Sequence, residues 1–350
     1  MESFKIKKVE VPFSTRLLEL GQCAKFFISK DRQTYATYPA TGTATPIYSQ
    51  PFYRWLMSAS EIRLGVVPSP QQMGRALSEL DGQTRTAANV EAVYVRTAKL
   101  GNKNYQIDLG HDNHQTVELT GKQWTVAEDF NVPFQRLQTF DPFPIPEPTI
   151  AKLPVYLEQM YEISEKDAHK LSHWMAQAML PEQKPPILVI TGEARYDAVT
   201  QIRQHIDPCF HSIMNLPLNG NDLGQQAVEN RVLAYSSDHP LSEKKIIDFK
   251  AMRVGMHARF REINPKDNIL LATVHRPIII ASELKQEICR QQITIEINIC
   301  RPVDHAEILG PLLDVVVQII GQPTIYPKPV SMKVRAAESQ PEVPEQPNTS

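Results

Sequence analysis

The sequence predicts a mixed chain: an α+β domain over residues 1–140, then an α/β domain of P-loop NTPase-like type over 151–322. Three observations lead there. Between residues 93 and 126, four short segments alternate apolar and polar residues, as half-buried strands do. Pro142, Pro144, Pro146 and Pro148 then fall within eight residues and predict a stiff, extended connector over 141–150. Beyond it, apolar strand-like runs alternate with helical ones, the pattern of a parallel sheet covered by helices.

Composition bounds the rest. The 350 residues leave room for two domains, and 42% hydrophobic and 22% charged residues are ordinary for a globular protein. A formal net charge of −2 gives no global footprint for nucleic acid, though a local basic face remains open. Cys23, Cys209, Cys289 and Cys300 form no CxxC pair, which argues against a zinc site or a disulfide framework and fits a reducing cytoplasm. With no apolar run of about 18 residues and no signal-like start, the expectation is a cytoplasmic protein without a membrane span.

In the N-terminal part, residues 14–27 have helical spacing and 34–38 read as a strand. Residues 46–57 turn into an aromatic helix with Phe52, Trp55 and Leu56. Residues 70–81 are a helix with Met73, Leu77 and Leu80 on one face. Strands follow at 93–96, 105–109, 116–119 and 123–126, with Gly101-Asn102 and Thr120-Gly121-Lys122 as hairpin turns.

After the connector, residues 153–180 are mostly helical, with Trp174 and Met175 in an apolar stripe. Strands are expected at 187–190, 232–235, 277–281 and 293–299, and helices at 198–205, 223–228, 246–252 and 306–320. Residues 323–350 are rich in Pro, Glu, Gln and Ser and are expected to be a disordered tail.

The segment ILVITGEARYDAVT (187–200) is a phosphate loop in outline: an apolar run, a turn at Gly192-Glu193, then a helix. A working loop needs glycines for close backbone approach, a Lys for the β/γ-phosphates and a Ser or Thr hydroxyl for Mg²⁺. Here Arg195 and Asp197 stand at glycine places, Ala198 at the lysine place and Val199 at the hydroxyl place. Asp197 would present a carboxylate to an anion.

Along nearly its whole length the chain resembles the primase-associated, helicase-like ATPases of phages, plasmids and integrated elements, a branch of the superfamily 3/AAA+ class. The N-terminal signposts are YATYP (35–39), FYRWL (52–56), VYVR (93–96), IDLG (107–110), WTV (124–126), VPFQR (132–136) and PIPEP (144–148). Those in the second half are ILVITGE (187–193), IDP (206–208), DL (222–223), VLAY (232–235), HRPII (275–279) and ILGPLLD (308–314).

What the resemblance implies departs from the family where its chemistry lies. Against a loop of the form GEQGSGKST only the trailing Thr200 is kept, the Walker B acid falls on Ser236, and the polar sensor falls on Ala281. Asp238, two residues beyond Ser236, is expected to point to the opposite face or into a loop and not to substitute for it. Arg290 matches an arginine that faces a neighbour's γ-phosphate in active relatives, and Arg261 matches another family arginine. Phosphoryl transfer depends on positioned positive charge and metal. The expectation is therefore a pseudo-ATPase with no catalytic residue, no metal and no cofactor beyond residual ATP binding at Gly192 and the helix amides. Priming activity is not expected.

The expected role is a binding or assembly subunit in mobile-element DNA replication or its control, beside an active ATPase or replication protein, as a homo- or hetero-oligomer. Lys244, Lys245, Arg253, Arg259 and Arg261, with Arg290, are candidate DNA or interface contacts. Two alternatives stay open: a nucleotide-binding switch in which Arg195 or Arg203 replaces the lysine, and a nucleotide-independent DNA-binding replication protein. Elsewhere structural explanations suffice. His169 and His173 lack the acid of a zinc helix, His111 to His114 read as a hairpin loop, and the aromatic residues at 52–55 read as packing.

Overall fold

A computed structural model describes residues 12–30, 32–38, 42–87, 89–137, 140–150, 152–210, 213–261, 269–283, 292–296 and 305–321. The chain is mixed α/β with three four-stranded sheets and one two-stranded ribbon among these residues.

The first unit packs α1 (Phe13–Gly21), α2 (Gln50–Leu64) and α3 (Pro70–Ala87) on a sheet of β1 (Lys25–Ser29), β2 (Thr34–Thr37), β3 (Ala44–Pro46) and β4 (Val90–Glu91), in the order β3-β2-β1-β4. In α2 the buried residues are Phe52, Leu56 and Ser60, four apart, so they line one stripe. Gly65 ends that helix in the left-handed region (φ 68°), its N–H donating to the Glu61 carbonyl. Trp55 stacks on Tyr38 at 4.8 Å, which supports packing for the aromatic segment.

The second unit is an antiparallel meander of β5 (Thr97–Gly101), β6 (Asn104–Asp108), β7 (Thr116–Leu119) and β8 (Trp124–Ala127). The helix expected over 14–27 stops at Gly21. Residues Lys25–Ser29 form a strand instead, because Phe26, Phe27 and Ile28 pair with β2 along their length. The strand expected at 93–96 also fails. Tyr94 makes one isolated bridge to Phe134, and Arg96 sits at φ 62°, which breaks an extended run.

The third unit holds α4 (Leu153–Tyr161), α5 (Glu165–Met179), β9 (Ile187–Thr191), α6 (Arg195–Ile206), α7 (Gly220–Glu229), β10 (Leu233–Ser237) and α8 (Glu243–Val254). It continues through β11 (Met256–Arg261), β12 (Ile269–Val274), β13 (Ile278–Ser282), β14 (Gln292–Glu296) and α9 (His305–Gly321). Strands β10, β13, β9 and β14 pair in that order, all parallel. Ile187 and Val189 join one buried cluster with Tyr235, Phe249 and Ile280, while Leu188 and Ile190 join another. Burial on both faces is why these strands read as unbroken apolar runs. Strands β11 and β12 form an antiparallel ribbon that periodicity did not reveal.

The cluster on the Leu188 face reaches across the connector. It gathers Tyr105, Ile107, Val117 and Leu119 from the meander with Leu157 of α4, Trp174 of α5 and Leu312 and Val316 of α9. The proline-rich stretch is extended and anchored: Phe143 is buried, and its N–H donates to the Leu109 carbonyl at 2.7 Å. Residues 297–299 of the expected last strand and the tail lie outside the described residues. Among the described residues, no helix is long and apolar enough to cross a membrane.

Candidate functional site

Strand order locates the crevice. From β9 the chain leaves through α6 towards β10, two strands away, while β14 pairs on the opposite side of β9. The connections therefore diverge at the carboxyl end of β9, the place where open parallel sheets hold ligands. Thr191, Gly192 and Glu193 lie there, with the N-terminus of α6 following. Gly192 has φ 107°, a conformation that side-chain-bearing residues rarely adopt, so the turn depends on glycine.

The residues at the phosphate and metal places are apolar and inside. Ala198 and Val199 are fully buried on α6 and belong to the main core cluster, as does Ala281 of β13. Ser236 lies directly opposite Ala281 in register, and Ala281 in turn pairs with Ile190. Ser236 and Ala281 thus share one level of the sheet, and with Ala198 and Val199 on α6 they bring methyl groups and one neutral hydroxyl where a magnesium nucleotide needs an ammonium and a carboxylate. These side chains do not fit that group. Glu193 and Asp197 are exposed, and Thr200 is half-buried.

Arg195 takes over the crevice. Its Nη1 donates to the Gly192 carbonyl (3.1 Å), and its Nη2 donates to Glu283 Oε1 (2.7 Å) just beyond the end of β13. Asp238 Oδ1, just beyond β10, lies 3.6 Å from the same Nη2 and accepts a hydrogen bond from the Tyr196 hydroxyl at 2.7 Å. The guanidinium carbon also sits 4.5 Å from the centre of the Tyr196 ring. Burial works to lower the Arg195 pKa, but Tyr196, Glu283 and Asp238 outweigh it and hold it above its ordinary value. The hydrogen bond to Asp238 raises that of the Tyr196 phenol, with burial adding to it.

Asp238 lies in the loop just after β10, and from there its carboxylate meets Tyr196 and Arg195. Tyr196 and Glu283 carried no signal in the sequence, since their partners are set by strand order. Arg203, the other candidate stand-in for lysine, lies eight residues along α6, about 12 Å from Arg195. It is fully buried, its Nη2 donating to Asn230 Oδ1 at 2.8 Å, so it does not reach the crevice.

The opposite, amino-terminal edge of the sheet holds two further arginines, Arg231 buried and Arg276 half-buried. Arg231 donates to the Ala178 and Met179 carbonyls at the end of α5, and Arg276 to the Ala227 and Asn230 carbonyls at the end of α7. Helix C-termini carry partial negative charge, which offsets part of the cost of burying these cations. Desolvation still pushes Arg276 down to about 10, against the attraction of Asp207, with Arg231 lowering it further.

The proposed DNA contacts are spread over α8, β11 and the segment that holds Arg290. Lys244 is exposed in the first turn of α8. Lys245 is half-buried in the same turn, its Nζ without a hydrogen-bond partner among the described residues. Arg253 lies in the last turn, its Nε donating to the Lys184 carbonyl at 3.2 Å. Arg259 and Arg261 occupy alternate positions of β11. Arg290 lies outside the described residues. Among the described residues, no group of three or more His, Cys, Asp or Glu is placed to hold a metal ion.

No family model and no curated protein matches the chain. Solved structures do. The chain is similar to the C-terminal region of NrS-1. Against its A-form apo structure the TM-score is 0.41 at 10% identity, covering 88% of this chain and 68% of that one. Two further apo structures of the region give TM-scores of 0.40 at 11% identity, covering 89% and 69%, and 0.38 at 10% identity, covering 91% and 71%. An overlap this loose transfers neither fold nor activity.

Proposed function

We propose that this chain is a catalytically inactive relative of the helicase-class ATPases. It would serve as a binding or assembly subunit in DNA replication of a mobile element or in its control. The observation that carries this is the burial of Ala198 and Val199 within the main core. The helix after β9 has turned its lysine and hydroxyl places into packing surface, while the parallel sheet around them is kept. Such a protein retains a scaffold and its outer faces without the charged groups that phosphoryl transfer requires.

The test is calorimetry of ATP binding by the full chain, with and without Mg²⁺, alongside phosphate release. Absence of heat at millimolar nucleotide and absence of phosphate release support the proposal. Saturable binding that needs no Mg²⁺ selects the nucleotide-switch alternative, and turnover overturns both. Single-stranded DNA binding that weakens steeply with salt would add the third role, with the β11–β12 ribbon as the first element to substitute.

A further inference from the structure

Three strand ends meet at the crevice, and one side chain touches all of them. Arg195 reaches the Gly192 carbonyl after β9, Glu283 after β13 and Asp238 after β10, and its side chain is 12% exposed. The two carboxylates are 53% and 59% exposed, so they come in from the solvent side and meet the guanidinium at the crevice mouth. Asp197 lies two residues further along α6, about 200° around the helix from Arg195, and is not among the anions facing it. The polar contacts of Arg195 are Gly192, Tyr196, Asp238 and Glu283.

Resting on the inactive function proposed above, we propose that this cluster is an autoinhibitory contact: Glu283 and Asp238 neutralise the charge of Arg195, so the crevice rejects external phosphate. Loss of lysine alone would leave Arg195 as a replacement cation beside the first-turn amides of α6, an arrangement that attracts anions. The two internal carboxylates supply that anion already. They also place a net negative charge at the mouth, which repels a polyphosphate. Exclusion is then a property of the tertiary contact and not only of the missing lysine.

The experiment compares tripolyphosphate binding by the full chain and by the D238N/E283Q variant, using calorimetry at low salt without Mg²⁺. Both substitutions keep size and hydrogen bonding while removing charge, at positions more than half exposed. The wild type should show no saturable heat. The double variant should bind at least about tenfold more tightly than the wild type's detection limit, with affinity falling as salt rises, and adding R195A should abolish the binding. The inference is overturned if the double variant binds no better than the wild type, if binding survives R195A, or if the wild type already binds through Arg195. Should the double variant not fold, E283Q alone removes the charge at the 2.7 Å contact and carries the same expectation at smaller amplitude. The two failures are distinguishable, because hydrolysis of Mg-ATP by the wild type would overturn the proposed function whatever the variants do.

Discussion

Arg96 and Asp207 lie 111 residues apart and meet in the interior, Nε to Oδ1 at 3.1 Å, with both side chains 1% exposed. The same guanidinium donates to the Asp141 and Pro208 carbonyls and lies 4.0 Å from the centre of the Phe140 ring. It joins the start of the meander to the end of α6, whose other end carries Arg195. Burial pushes the Arg96 pKa below its ordinary value, while Asp207 and Asp108 resist that shift.

Arg96→Ala should therefore destabilise the chain by about 3–5 kcal/mol, since it leaves a buried carboxylate uncompensated. Urea unfolding followed by circular dichroism measures this. Arg96→Met combined with Asp207→Leu should recover part of the loss, because the paired charges leave together, while Arg231 and Arg276 lose the attraction of Asp207. Equal losses in the single and double variants would show that the carbonyl contacts dominate.

Restoring the lysine should not restore an ATPase. The Ala198 side chain is fully buried in the main core, so Ala198→Lys drives an ammonium into apolar packing. A loss of several kcal/mol is expected from overpacking and desolvation. Thermal unfolding should fall by roughly ten degrees or more, with no phosphate release. An unchanged melting temperature would mean that the α6 N-terminus opens more easily than its burial indicates.

Gly310 of α9 faces the backbone of Glu147, and a Cβ there would overlap the Glu147 carbonyl oxygen. Gly310→Ala should push the connector off α9, at about 1–3 kcal/mol. Faster proteolytic cleavage within 141–150 is the direct readout. Gly74, whose Cβ would meet open space, is the control: Gly74→Ala should leave cleavage unchanged.

Ser164 caps α5 by accepting from the Asp167 N–H at 3.2 Å, and its own hydroxyl donates to Asp167 Oδ2 at 2.9 Å. Ser164→Ala should cost about 1 kcal/mol. Burial works to raise the Asp167 pKa, but the hydrogen bonds from Lys170 and Ser164 outweigh it and hold it below 3.8. A carboxylate lowered on folding stabilises fully above its unfolded pKa, and that contribution is lost as pH falls through the lower folded value. The gap between wild type and Asp167→Asn should be constant from pH 7 to about 5 and close only below about pH 4. A gap that closes near pH 6 would assign the effect to another group.

Periodicity and chemistry along the chain were enough for most of the elements. The spacing of Phe52 and Leu56, the alternation at 105–109 and 116–119, and the apolar run at 187–190 are local consequences of which faces become buried, though α2 runs on to Leu64, beyond the expected 46–57. The identities of Ala198, Val199, Ser236 and Ala281 are read from the sequence, whereas their burial and the register of Ser236 against Ala281 belong to the fold. The failures were local competitions settled by distant partners. Residues 25–29 became a strand because β2 pairs with them, and the extended run at 93–96 gave way to the turn that aims Arg96 at Asp207.

Only the tertiary structure decided what occupies the crevice. Arg195 and Glu283 are 88 residues apart, and they touch because β13 lies beside β9 in the sheet. Asp238 reaches the same guanidinium because β10 is the next strand beyond. Hydrophobic pattern tells a strand which faces to bury but not which strand will be its neighbour. A contact between strand ends depends on that order, so the sequence shows which residues follow β9 and the fold shows the ion pairs that join them to the ends of β13 and β10.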